Sequence, residues 1–215
     1  MTDFSEIILF IVAFYATINF YRLYSISREI LHFCMGTSAA FLAIIGISDL
    51  LSTFFPVLDP DFIDEWATVF SVSFLLSAAA SLVRNSKPVF SRFPRLFTFA
   101  PLILIFLYPL IIDTAVVKIW AVALYQGSSL LISLIIYSYK THHNSSYGYM
   151  LVGVIFFLVT FILYWLPGSA FTLPVYAWVL LVSCGILIIT VGYNHVFELE
   201  DEIIDAQKRK ETWFV

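Results

Sequence analysis

The stretch YMLVGVIFFLVTFILYWL, Tyr149–Leu166, runs for eighteen residues without one Asp, Glu, Lys or Arg. An α-helix needs about 20 mostly apolar residues to cross the hydrocarbon of a bilayer. A run of this length and purity therefore predicts a transmembrane helix. Six more segments meet the same test: Ile7–Tyr24, Leu31–Phe55, Trp66–Val83, Leu96–Ile112, Ala115–Tyr139 and Pro174–His195. The connections between them are short and carry turn residues, among them Asp59-Pro60-Asp61, Asn144-Ser145-Ser146 and Pro167-Gly168-Ser169. The fourth span is the least regular, because Pro101 and Pro109 interrupt it. The expected fold is all-α integral membrane: a seven-transmembrane-helix bundle over residues 1–195, with a helical juxtamembrane tail over 196–215.

Composition agrees. Of 215 residues, 61% are hydrophobic and 12% charged, against about 25% charged in a soluble domain. The net charge of −4 leaves no basic surface for nucleic acid. Cys34 and Cys184 both lie in apolar runs, which argues against a disulfide framework or a thiolate metal site. The acidic start, Met1–Glu6, lacks a basic n-region, so the first apolar run reads as a retained helix rather than a signal peptide.

Loop charges give a topology. Arg22, Arg28, Arg84, Lys87, Arg92, Arg95, Lys140, Lys208, Arg209 and Lys210 fall on one side, and of the eleven basic residues only Lys118 falls on the other. Asp3, Glu6, Asp59, Asp61, Asp64, Glu65 and Asp113 lie on that second side. The positive-inside rule then puts the N-terminus outside and the C-terminus in the cytoplasm. Trp66, Trp120, Trp165 and Trp178 sit near the outer ends and read as an interfacial belt.

Bundles close in lipid through small residues. The second span carries Gly36, Ala39, Ala40, Ala43 and Gly46, and the third carries Ser73, Ser77 and Ser81, so these two spans are expected to be the closest pair. The polar groups within spans mark candidate sites. Asp49 is a carboxylate well inside the second span, and a charge there costs about 2.5–3.5 kcal/mol unless it is neutral, paired or facing a polar cavity. Gln126 is the second polar group at mid-span. With Tyr125, Tyr164 and Trp165 they compose the expected ligand-binding set, in the outer half of the bundle. His32 and His195 lie at the cytoplasmic edge, where a ring-like bundle could bring them together. The spacing of the four histidines supports no haem or metal site, and no cofactor is expected. No zinc, serine-hydrolase or phosphate-loop motif occurs, so the chain reads as a non-enzyme.

After the last span, Val196, Leu199, Ile203 and Ala206 recur at helical spacing among charges, predicting a helix continuous with the seventh span. Its acidic stretch Glu198–Asp205 favours projection into the cytosol over lying on anionic lipid.

In topology the chain resembles the microbial rhodopsin bundle. Asp64-Glu65-Trp66 and Tyr164-Trp165-Leu166-Pro167 are similar to parts of that family's retinal pocket. That family holds retinal on a lysine in the seventh span, and Pro174–His195 contains none, so covalent retinal is not expected. The layout also resembles the seven-span sensory module of membrane histidine kinases, whose last span runs into a charged helix similar to Phe197–Lys210. That likeness implies a receptor-like module reading a small ligand or proton and relaying through the seventh helix to a cytoplasmic partner. Two alternatives stand beside it: an accessory or structural subunit of a membrane complex, and a small transporter using Asp49. The partners expected are the lipid bilayer, a cytoplasmic protein at the tail, and a membrane-protein partner or a second copy.

Overall fold

The computed structural model describes residues 2–48, 55, 59–86, 92, 94–111, 115–165 and 175–212. Among these there are seven helical segments and no strand. They are α1 (Thr2–Ser27), α2 (Ile30–Ile45), α3 (Pro60–Ser86), α4 (Arg95–Leu110), α5 (Ala115–His143), α6 (Gly148–Trp165) and α7 (Val175–Thr212). Five of them, α1, α3, α5, α6 and α7, are long and apolar enough to cross a membrane, while α2 and α4 are shorter apolar helices.

Local sequence explains the ends. Arg28 adopts a left-handed conformation, φ 56°, directly after α1, and its N–H donates to the Tyr24 carbonyl at 2.8 Å. This is the usual reversal at a helix C-terminus, and it lets α2 begin two residues later. α4 is not a continuous α-helix. It is 3₁₀ over Arg95–Leu102, α over Ile103–Leu107 and 3₁₀ over Tyr108–Leu110. Pro101 and Pro109 have no N–H to place in an α ladder, and the tighter 3₁₀ winding, with its greater rise per residue, lengthens the segment. At about 2.0 Å per 3₁₀ residue and 1.5 Å per α residue, it reaches about 30 Å, comparable to a bilayer's hydrocarbon.

α2 differs from expectation. The apolar run predicts a span to Phe55, yet the regular helix ends at Ile45, with a turn at Gly46 and Ile47. Residues 49–54 lie outside the described residues, so Asp49 does too. The seventh helix runs without a break from Val175 to Thr212, as the spacing of the tail predicts.

Six helices pack in a closed ring in the order α1, α2, α3, α5, α6, α7, with α7 returning to α1. α4 stays outside the ring against α3, its Leu104 and Tyr108 packed with Val69 and Val72 of α3 and with Val122 and Tyr125 of α5. The α2–α3 pair is the most extensive, as the small residues suggest. Its centre is a reciprocal clasp. The Ser38 hydroxyl donates to the Ser71 carbonyl at 2.9 Å, and the Ser71 hydroxyl donates back to the Ser38 carbonyl at 3.1 Å.

Glycines seat two other pairs. A Cβ on Gly46 would lie 2.7 Å from the Phe10 nitrogen and 2.8 Å from the Glu6 carbonyl oxygen, so α1 and α2 touch backbone to backbone there. Between α6 and α7, Gly185 receives the Phe157 ring, Gly153 receives Ile189, and Gly192 receives Met150. Backbone cannot give way as a flexible side chain can. Gly46→Ala is therefore expected to cost about 1–3 kcal/mol by overpacking. Gly148→Ala, whose added Cβ meets nothing within 4 Å, should not destabilise. Thermal unfolding of both variants in nanodiscs checks the contrast.

Candidate functional site

The centre of the ring is not filled. The ring encloses a cavity of about 220 Å³ with walls from all six ring helices. The facing positions are small: Ser38 and Ala39 from α2, Ala78 and Ala79 from α3, Ser129 and Ser133 from α5. Longer side chains, including Leu31, Leu82, Val182, Ile186 and Ile189, complete a mainly apolar lining. Among the described residues no Asp, Glu, Lys, Arg or His lines it.

One stripe of α5 supplies most of the polarity. Gln126, Ser129, Ser133 and Tyr137 follow each other at three- and four-residue steps and all face the cavity. The Ser129 hydroxyl is satisfied within its own helix, donating to the Gln126 carbonyl at 2.7 Å. At the far end, the Tyr137 and Tyr193 hydroxyls hydrogen-bond to each other, joining α5 to α7. Tyr193 also meets the Phe20 ring edge-on at 5.3 Å and the His32 ring at 5.6 Å. These rings close that end.

His32 is held in place by a chain of bonds. The Ser27 hydroxyl donates to the Leu23 carbonyl at 2.9 Å, so its oxygen accepts from His32 Nδ1 at 2.8 Å. That assignment makes Nδ1 a protonated nitrogen of the ring. Beside it, the Asn194 amide donates to Asn19 Oδ1 at 3.1 Å and ties α7 to α1.

Towards the opposite end lies a cleft of about 500 Å³, lined by Asp64, Glu65, Tyr108, Lys118, Tyr164 and Trp165 among others. Glu65 Oε1 accepts from the Tyr108 hydroxyl at 2.7 Å and from Lys118 Nζ at 3.2 Å. Lys118 also lies 5.1 Å from the centre of the Tyr108 ring. One carboxylate thereby joins α3, α4 and α5. Thr68 lines both the cleft and the cavity.

The residues expected to share one site are thus divided. Gln126 faces the cavity, and Tyr164 and Trp165 line the cleft. Tyr125 does neither. It packs outside the ring with Tyr108 and Leu104, because a neighbour of Gln126 on a helix points about 100° away. Asp49 lies outside the described residues. His32 and His195, which a ring-like bundle could have brought together, lie apart. His32 turns inward, 7% exposed and against Tyr193, while His195 is exposed and its ring meets Tyr149 at 5.4 Å. Tyr193 and His195 are two apart on α7, which sends them to opposite faces. Among the described residues no group of three His, Cys, Asp or Glu side chains could hold a metal ion.

Sequence reasoning missed Tyr137, Tyr193, Ser38, Ser71 and Ser133. The 3-4-4 spacing of Gln126, Ser129, Ser133 and Tyr137 is a signal that could have found the wall. Comparison with protein-family models, with curated proteins and with solved structures gives no match.

The tyrosine pair predicts a non-additive double mutant. Tyr193→Phe leaves the Tyr137 hydroxyl buried without its partner and should cost about 1–3 kcal/mol. Adding Tyr137→Phe removes the orphaned group, so the double variant should be more stable than the sum of the singles, by thermal unfolding in nanodiscs.

Proposed function

We propose that this chain is a heptahelical sensor of the cell membrane, with its N-terminus outside and its tail in the cytoplasm. A small ligand is read in the central cavity, and the signal passes along α7 to a cytoplasmic protein partner. It is not an enzyme. The observation that carries this reading is that one unbroken helix both forms a wall of the cavity and continues past the bundle. Val182, Ile186, Ile189 and Tyr193 line the cavity, and α7 continues to Thr212. At 38 residues it is about 57 Å long, against about 30 Å of hydrocarbon. A ligand that favours one position of α7 over another shifts the tail by the same free energy.

The ring contacts of Tyr193 support the relay. Pressure on this residue from the cavity bears on the bonds that hold α7 to α5 and α1 at the foot of the bundle. The volume suits a small molecule: a cavity of about 150 Å³ takes benzene, so about 220 Å³ takes one somewhat larger. The cleft, which shares Thr68 with the cavity, favours a second reading, a small transporter whose tyrosine-closed end opens in turn.

Two measurements test the proposal. Single cysteines at Lys118 and Asn144, in the chain with Cys34 and Cys184 replaced, report topology. An impermeant thiol reagent applied to intact cells should label position 118 and leave position 144 unlabelled, and the reverse pattern would contradict the orientation. Spin labels at positions 143 and 206 report the tail. Ser133→Phe, which fills the cavity as a ligand would, should displace the tail distance by several ångström in nanodiscs. An unchanged distance would count against the relay. For the transporter reading, vesicles would accumulate a cavity-sized solute.

A further inference from the structure

The shape of the cavity says more than its volume. The wall runs from Gln126 to Tyr137 on α5 and from Val182 to Tyr193 on α7. Eleven residues of α-helix span about 16 Å. Spread over that length, a volume of about 220 Å³ makes a space that is long for its width. A long, narrow space suits one extended chain better than a compact ring system. The bore is open because Ser38, Ala39, Ala78, Ala79, Ser129 and Ser133 stand where larger residues would close it.

Polarity is unequal at the two ends. At the foot, the Tyr137 and Tyr193 hydroxyls already satisfy each other. At the other end, the Gln126 side-chain amide has no hydrogen-bond partner among the described residues, and Thr68 stands at the mouth. An amide offers both a donor and an acceptor. No ionised side chain among the described residues faces the bore, so a charged head would enter it uncompensated. The acids of the cleft, Asp64 and Glu65, stand against the single cation Lys118, which opposes a carboxylate at the mouth.

We propose that the cavity binds a single-chain amphiphile of medium length with an uncharged hydrogen-bonding head. Its alkyl chain lies along the bore towards Tyr137 and Tyr193, and its head meets Gln126 and Thr68. An extended chain advances about 3.6 Å per three bonds, so a chain of ten carbons, about 12 Å, fits between the two ends. The inference deepens the sensor reading and rests on it for biological meaning, though binding stands apart from relay.

The test uses the full chain in nanodiscs and an n-decanol analogue with a diazirine at its tail end. Labelled residues are mapped by mass spectrometry. Labelling is expected on α5 and α7 near Tyr137 and Tyr193. Excess n-decanol should remove it, while decanoate, decylamine and the compact alcohol adamantanol should not. Ser133→Phe and Gln126→Leu should each lower cavity labelling by about tenfold, the size of a loss of about 1.4 kcal/mol. Labelling of lipid-facing Leu124 and Ile135, 63% and 69% exposed, should persist in both variants, and a cooperative thermal unfolding transition shows that each is folded. Labelling confined to such lipid-facing residues would overturn the proposal. Equal competition by the ionised chains would overturn the uncharged head, and equal competition by adamantanol would overturn the single chain. The tail distance recorded in the same samples separates the two readings. Cavity labelling with an unmoved tail would end the sensor reading alone, and a tail that moves without cavity labelling would end this one alone.

Discussion

Hydroxyl and amide groups on apolar helices need a hydrogen-bond partner inside the protein, because hydrocarbon supplies none. Most hydroxyls here meet that need within their own helix. Thr17, Thr37, Ser77, Thr160, Ser183 and Thr190 each donate to the carbonyl four residues earlier. The groups that instead reach across helices hold the ring together. Ser38 and Ser71 join α2 to α3, Tyr21 and Thr37 join α1 to α2 at 3.0 Å, Asn19 and Asn194 join α1 to α7, and Tyr137 and Tyr193 join α5 to α7. The last of these reaches across the interior rather than between ring neighbours, and it defines the floor of the cavity.

A ring of six with one helix outside has a consequence for the site. α4 fills the outer groove between α3 and α5 and takes no part in the cavity wall. Its Tyr108 contributes instead to the cleft, through the Glu65 carboxylate that also receives Lys118. Lys118, the lone basic residue among the acids of its side, is thereby paired rather than free in the vestibule. The cleft is acidic and aromatic, the cavity neutral and narrow. A molecule passing from one to the other must leave charge behind, and the proposed choice of an uncharged chain follows from that order of spaces.

Much of this was legible in the sequence because it depends on one helix at a time. Apolar length gives the long helices, Pro101 and Pro109 mark α4 as irregular, and the spacing of Val196, Leu199, Ile203 and Ala206 carries α7 into the tail. The expected α2–α3 pairing is there, although Gly36 and Gly46 turn to α1 instead. What depends on register between helices was not legible. Tyr137 and Tyr193 lie 56 residues apart, and nothing in either span alone names the other. Ala39, Ala78 and Ala79 look like packing residues, and it takes the facing helices to show that they line a void. Tyr125 was grouped with Gln126 by adjacency in sequence, which on a helix separates rather than joins.

The central claim is that filling the cavity acts on α7. It can be tested without knowing the natural ligand, because apolar cavities take up xenon. 3-Fluorotyrosine at position 193, in nanodiscs under xenon pressure, reports the floor of the cavity by ¹⁹F resonance. The account predicts a shift at Tyr193 with none at Tyr176, which is 41% exposed and lies towards the start of α7. A resonance at Tyr193 that stays put while xenon is present would contradict it.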